Sequence, residues 1–142
     1  MAVTDTLTPE RAAGQVPMPR GVVAHLTPSD AAAATEFYKK AFGAEEVSRI
    51  PGPNGKLMHV HLAINGGVLL LADYMPQSGH PGGAPQAISL LMAVDDLDAV
   101  WKRAIEAGCE EMMAPALMFW GHRYGQVRDP FGFIWALDEP ND

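Results

Sequence analysis

Residues 120–135, WGHRYGQVRDPFGFIW, contain a turn flanked by two candidate strands. In the turn, Asp129-Pro130-Phe131-Gly132, the Asp side chain can accept backbone N–H groups, Pro fixes φ and Gly tolerates a positive φ. Residues 124–128 and 133–137 carry apolar side chains at strand-like spacing on its two sides. The stretch therefore predicts a β-hairpin.

The first half of the chain predicts the order βαβββ. Residues 21–26 form a short apolar run that fits a strand, and the Thr-Pro-Ser-Asp segment after it has the chemistry of a helix start. A helix is predicted over 31–42, with Gly43 as its C-cap. Turns rich in Gly, Pro and Asn then separate three predicted strands, 45–50, 56–64 and 67–73.

The second half of the chain repeats this order. Gly43-Ala44-Glu45-Glu46 matches Gly108-Cys109-Glu110-Glu111, and the same offset sets Asp30 over Asp95. The repeat assigns a strand to 87–94, a helix to 97–107 and a strand to 110–114, and the hairpin supplies the last two strands. A tandem repeat decides the architecture. The alternative is that similar helix caps arise by chance in any α/β protein.

The chain is therefore divided into an arm and one domain of two modules. Residues 1–20, with three prolines and no apolar period, predict an arm that is flexible or contacts a partner subunit. Module one is assigned to 21–75 and module two to 87–139. The segment 76–86, rich in Pro and Gly, is the predicted linker between them.

Composition excludes several classes of protein. A chain of 142 residues with a net charge of −7 is one acidic domain, and nucleic-acid partners normally require a basic stripe. No apolar run is long enough to span a membrane, and no signal peptide precedes the domain, so we expect a soluble, cytoplasmic protein. The single Cys109 cannot form an internal disulfide, and its place at a helix end favours packing over nucleophilic chemistry.

Several motifs together resemble one superfamily. They are the segments EFYKKAFGAEE at 36–46, Met58-His59, DDLDA at 95–99 and WGHRYG at 120–125. The chain resembles, over 21–139, the vicinal oxygen chelate superfamily of glyoxalases, bleomycin-resistance proteins and extradiol dioxygenases, in its PhnB-like branch. The resemblance implies an α+β fold in which tandem βαβββ modules form an open, cup-shaped sheet around a ligand. It leaves the chemistry open.

The resemblance also addresses metal binding. Glyoxalase-like members place four metal ligands on the first and last strands of the two modules, and these positions correspond here to Val23, Leu71, Ser89 and Ala136. None is a usual ligand, and the last predicted strand, 133–137, contains no carboxylate or imidazole. We therefore expect no metal and no other cofactor. A registration shift of one or two residues would bring in His25 or Asp73.

Histidines are candidates for the ligand site in module one. His59 and His61 lie two apart on one predicted strand, so both face the same side, where they can bind a polar ligand or a metal. The alternative is a solvent-facing or internally bonded pair. His25 is a candidate by analogy with the metal-bearing face of relatives, or else a hydrogen-bonded core imidazole. Asp73 is either a general base or a turn former.

An aromatic segment supplies the candidates in module two. Trp120 offers a flat apolar wall, Arg123 can bind a carboxylate or phosphate, and Tyr124 stands beside them at the expected rim of the cup. Together they suit an anionic or aromatic small molecule. In the alternative interpretation, Arg123 pairs with Asp129 or Asp73 and stabilises the hairpin.

Three functional hypotheses follow from the sequence. The first is a metal-free protein that binds an apolar or anionic small molecule. The second is a glyoxalase-like lyase, isomerase or dioxygenase whose divalent metal is held by some of His25, His59, His61 and Asp73. The third is an interaction module whose cup serves only to dimerise. Small open sheets leave edges and apolar faces uncovered, so we also expect a homodimer.

Overall fold

The computed structural model describes residues 5–6, 18–75 and 82–141. In these ranges the chain forms two α-helices and two β-sheets, and it divides into two compact units. The first unit comprises Met1–Lys39 and Gly43–Gly83, and the second comprises Lys40–Phe42 and Ala84–Asp142. Most of the predicted arm and residues 76–81 of the predicted linker lie outside the described residues.

Sheet one contains the strands of module one and a short additional strand. Its order is β1-β3-β4-β5-β2, with β1 parallel to β3, β2 parallel to β5 and the other pairs antiparallel. Its elements are β1 (Asp5–Thr6), β2 (His25–Leu26), α1 (Ala31–Phe42), β3 (Glu45–Pro51), β4 (Leu57–Ile64) and β5 (Gly67–Leu71). A 3-10 turn at Pro53–Gly55 connects β3 to β4.

Sheet two has the same plan. Its order is β6-β9-β8-β7, and β6, the first strand of the module, pairs in parallel with β9, the last. Its elements are β6 (Ser89–Ala93), α2 (Leu97–Ala107), β7 (Glu110–Leu117), β8 (Arg123–Arg128) and β9 (Ile134–Glu139). The predicted tandem βαβββ modules are therefore confirmed. No helix in the described ranges has the length and apolar content needed to cross a membrane.

Local capping explains why both helices have the predicted bounds. The Asp30 carboxylate accepts the Ala33 N–H at 3.0 Å, and Asp96 accepts the Ala99 N–H at 3.1 Å. The prediction that Asp95 corresponds to Asp30 is wrong by one residue, because α2 has 11 residues and α1 has 12. Both helices end at a glycine, as the repeated Gly-x-Glu-Glu motif requires.

The hairpin between β8 and β9 is held by one carboxylate. Asp129 Oδ1 accepts the N–H groups of Phe131 and Phe133 at 2.9 and 3.0 Å, and Oδ2 accepts Trp135 Nε1–H at 2.9 Å. Asp129 is almost fully buried. Its carboxylate thus closes the turn and anchors an indole of the core at the same time.

Each sheet has one face beside its helix and one on the opposite side. In sheet one, Val60, Leu62 and Leu71 are fully buried on the helix side, where Lys39 of α1 reaches Glu46 of β3 at 3.1 Å. Side chains alternate along a strand, so His59 and His61 lie on the other side. We call this side the histidine face of sheet one.

In sheet two, α2 lies against β8, where a Cβ at Gly125 would come 3.3 Å from the Trp101 ring. The same Cβ would lie 3.1 Å from the Met113 carbonyl oxygen, so a larger residue at Gly125 would be crowded. Tyr124 of β8 and Asp138 of β9 are direct cross-strand partners and lie on the opposite side. We call this side the tyrosine face of sheet two.

Candidate functional site

Three of the predicted site residues, His25, His59 and His61, lie on the histidine face. His61 is paired with Ser48 of β3 and with Leu70 of β5, and Leu70 is paired with His25 of β2. Residues paired across strands share a face. His25 and His61 therefore share one face, and His59, which was predicted to lie on the same face as His61, is two residues away along β4.

Three polar atoms of this face have no hydrogen-bond partner within the described part of the chain: Ser48 Oγ, His59 Nε2 and His61 Nδ1. The residues that carry them are only 2%, 9% and 8% exposed. Buried polar groups are nearly always paired, and an unpaired one costs about 1–3 kcal/mol. The face therefore has unused hydrogen-bonding capacity.

The environment of His59 favours its neutral imidazole form. Burial lowers the pKa of His59, and the nearby His61 and His25 lower this pKa further through charge repulsion. A neutral ring has one N–H donor and one lone pair. His59 can therefore either donate to a ligand oxygen or accept from a ligand hydroxyl.

Asp73 lies apart from these histidines and has other partners. Its Oδ1 accepts the Ala31 N–H at 2.9 Å, and its Oδ2 accepts the Leu57 N–H at 2.7 Å. The buried carboxylate thus stabilises the first turn of α1 and the start of β4. These bonds give Asp73 a structural role, and they hold it on the helix side of the sheet.

The sequence registration of the metal positions needs two corrections. Leu71 pairs with Val60 on the helix side, so Leu70, another residue without a donor atom, is the one on the histidine face. The last strand extends to Glu139 rather than ending at 137, and it therefore does contain two carboxylates, Asp138 and Glu139. In the described ranges, no three His, Cys, Asp or Glu side chains form a group that could hold a metal ion.

The tyrosine face carries an aromatic cluster. The Trp120 and Tyr124 rings lie edge to face with centroids 5.5 Å apart, and Phe119 packs on Trp120 at 5.0 Å. Trp120 is 44% exposed. Tyr124 Oη accepts Gln126 Nε2–H at 2.9 Å, which fixes the phenol and leaves its own hydrogen for another acceptor. The predicted proximity of Trp120 and Tyr124 is found.

Arg123 lies on the other side of this sheet. Its guanidinium makes two hydrogen bonds of 3.0 Å to the Asp98 carboxylate in the first turn of α2. The pairing lowers the pKa of Asp98 and raises that of Arg123. The alternative interpretation of Arg123 as a stabilising ion-pair partner thus agrees with the structure, but neither suggested partner, Asp129 or Asp73, is the correct one.

Sequence reasoning missed one contact on the tyrosine face. His122 Nδ1 lies 2.7 Å from Asp138 Oδ2. A tight turn positions His122, because Gly121 has φ 92° and backbone hydrogen bonds of 2.9 Å join Gly121 to Met118 and Met118 to His122. Extending the apolar alternation of β9 by two residues would have placed Asp138 on this face, next to Tyr124.

Cys109 agrees with its predicted role in packing. The thiol is buried, and burial raises its pKa to about 12, with a further contribution from the charge of Asp129. A thiol with this pKa is protonated at neutral pH and is a poor nucleophile.

The chain therefore consists of two βαβββ modules, and in each module one face of the sheet lies opposite the helix. The chain belongs to the Glyoxalase/Bleomycin resistance protein/Dioxygenase superfamily, whose family model matches residues 21–137. This match confirms the superfamily inferred from the sequence motifs.

Relatives and solved structures agree with this assignment. An uncharacterized protein of Mycobacterium bovis is 47% identical over 124 residues, which cover 82% of this chain and 80% of that one. Protein PA1353 of Pseudomonas aeruginosa has a TM-score of 0.71 at 23% identity, covering 87% and 100% of the two chains. A PhnB protein of Bacillus cereus has a TM-score of 0.67 at 18% identity, covering 85% and 100%. The two structures establish likeness of fold.

Proposed function

We propose that this protein binds a small molecule on the histidine face of sheet one, and that binding needs no divalent metal. The observation that carries the proposal is the set of buried, unpartnered polar atoms on Ser48, His59 and His61. A ligand that pairs with them removes a cost already present in the free protein, and each neutral hydrogen bond is worth about 0.5–1.5 kcal/mol.

The chemistry of the face defines the ligand class. The hydroxyl and the two imidazoles offer donors and acceptors, while Leu70, between His61 and His25 in the row, offers apolar contact. A compound with an apolar body and one oxygen-bearing group fits this combination, and the oxygen can be neutral or anionic. Sequestration of such a compound requires no catalytic base.

A binding titration of metal-free protein tests the proposal. Benzoate and benzamide serve as probes, since they share an apolar ring and differ in the charge of the oxygen group. We expect saturable binding that His61→Ala weakens and that Asp98→Ala, at an exposed ion pair on the helix side of sheet two, leaves unchanged. Equal effects of the two variants would contradict a site on the histidine face.

The metal-dependent enzyme is the second candidate. It is favoured by the mutual influence of His25, His59 and His61, which lie close enough to affect one pKa. A divalent metal bound there would polarise a substrate oxygen, but His25, His59 and His61 do not form, among the described residues, a group that could hold a metal ion. Stoichiometric Zn²⁺ binding that is lost in His61→Ala would favour this candidate over the metal-free one.

We further propose a cytoplasmic homodimer. The second unit exposes apolar side chains that a monomer would leave in water, among them Leu91 at 65% and Leu117 at 72%. Strands β6 and β7 are also the edges of sheet two. Light scattering at micromolar concentration should give twice the chain mass, whereas a monomer mass would reject the proposal.

A further inference from the structure

We propose that the outer edge of strand β3 is a docking edge for an extended segment of chain, and that the N-terminal arm of the same molecule occupies it. Residues 5–6 of the arm form β1, which pairs in parallel with Ser48 and Arg49 of β3. In this position the arm keeps β3 from pairing with a second copy of the chain. The arm precedes residues 21–137, so this pairing lies outside the part of the fold that the family model matches.

The β3 edge needs cover along one stretch. An uncovered strand edge presents backbone N–H and C=O groups to which another chain can add. The register of β3 with β4 shifts between Glu46 and Ser48, and again between Ile50 and Pro51. Bulges of this kind twist the edge and interrupt a regular row of backbone groups. The regular stretch that remains runs from Ser48 to Ile50, and β1 pairs within it.

Side-chain charge does not protect this stretch. Edge strands are often protected by a charged side chain that disfavours the approach of a second strand. The charged residue of this stretch is Arg49, whose guanidinium makes hydrogen bonds of 2.8 and 3.0 Å to the Glu46 carboxylate. Glu46 is buried on the helix side of the sheet, so the charge of Arg49 is compensated there. The stretch therefore relies on the arm for its protection.

The equivalent strand of module two differs in this respect. β7 is the outer strand of sheet two, and its register with β8 shifts between Glu111 and Met113 and again between Met113 and Ala116. Pro115, in the second interval, has no N–H to donate. The regular stretches of β7 are therefore shorter than that of β3. This difference explains why sheet one has an added strand, whereas sheet two, in the described ranges, has none.

The test compares two double variants of the full-length chain. Asp5→Pro with Thr6→Pro removes both backbone donors of β1, whereas Asp5→Ala with Thr6→Ala keeps both. In dilute protein, we expect amide hydrogen exchange of residues 48–50 to be about twofold to tenfold faster in the proline variant, the worth of one neutral hydrogen bond. The alanine variant should exchange at the wild-type rate.

Light scattering over a range of concentrations then tests the protection itself. The proline variant should form species of about twice the wild-type mass as its concentration rises, because the uncovered β3 edges of two molecules can pair. The alanine variant should keep the wild-type mass. The wild type is the reference, so the result does not depend on the proposed homodimer or on the ligand site.

Circular dichroism shows whether the proline variant is folded. If it is not, the single variants Asp5→Pro and Thr6→Pro are measured in the same way. Unchanged exchange of residues 48–50 without the β1 donors would mean that β1 does not cover β3. Faster exchange with the wild-type mass at every concentration would mean that the uncovered edge does not pair with a second copy. Either result would overturn the inference.

Discussion

Replacing Ser48 with alanine separates the stability of the protein from its binding function. Ser48 is 2% exposed and its Oγ has no partner in the described part of the structure, so the hydroxyl is desolvated without compensation. That state costs about 1–3 kcal/mol, while removal of the oxygen leaves only a small void. We expect Ser48→Ala to leave the free energy of unfolding unchanged or raise it by about 1 kcal/mol.

The matched control is Thr35→Val, which removes a hydroxyl that is satisfied. Thr35 is fully buried and its Oγ1 donates to the Ala31 carbonyl at 2.8 Å. This variant should lose about 0.5–1.5 kcal/mol, the net worth of a neutral hydrogen bond. Urea unfolding followed by circular dichroism, at one fixed protein concentration, measures both.

The same Ser48→Ala variant should bind benzoate or benzamide less tightly, by about 0.5–1.5 kcal/mol. A residue kept for ligand contact is expected to show this opposition between stability and binding. A loss of 1 kcal/mol or more in the stability of the ligand-free protein would refute the reasoning, because it would mean that Oγ is already paired.

Three other predictions concern buried groups. Asp129→Ala should destabilise the protein by about 3 kcal/mol or more in urea unfolding, because it leaves three donors unpaired. The control Asp98→Ala, at an exposed ion pair, should have little effect on the free energy of unfolding. Similar losses in the two variants would contradict the role of the hairpin carboxylate. Cys109 should resist a thiol reagent in native protein at neutral pH and react after unfolding, and stoichiometric native labelling would contradict its raised pKa. The pKa of His59 in the folded protein lies below its usual 6.5, so the unfolded chain binds the extra proton. The free energy of unfolding should therefore fall as pH drops below about 6.5. This dependence on pH should weaken in His59→Gln, and an unchanged dependence would assign it to other groups.

Local signals explain the parts of the fold that the sequence predicts well. Both helices have their predicted bounds because the capping Asp and the terminal Gly make their hydrogen bonds within the first and last turns of the helix. Strand ends are less well predicted. The first strand, predicted over 21–26, is only His25–Leu26, since pairing with β5 determines its length.

The candidate site depends more strongly on distant pairing. Alternation along β4 is enough to put His59 and His61 on one face. In contrast, the partner of Arg123 is 25 residues away on a helix, and the proximity of Asp138 to His122 requires the true end of β9. The lack of partners for the buried polar atoms depends on all neighbours together, and no sequence pattern reports it.

Nitrogen NMR of the histidine side chains in metal-free protein tests the central claim most directly. With chelator present, benzoate or benzamide is added while the signals of His59 Nε2 and His61 Nδ1 are followed. The account predicts saturable shifts of both signals. Shifts that occur only after Zn²⁺ is added, or no shift at any probe concentration, would contradict metal-free binding on the histidine face.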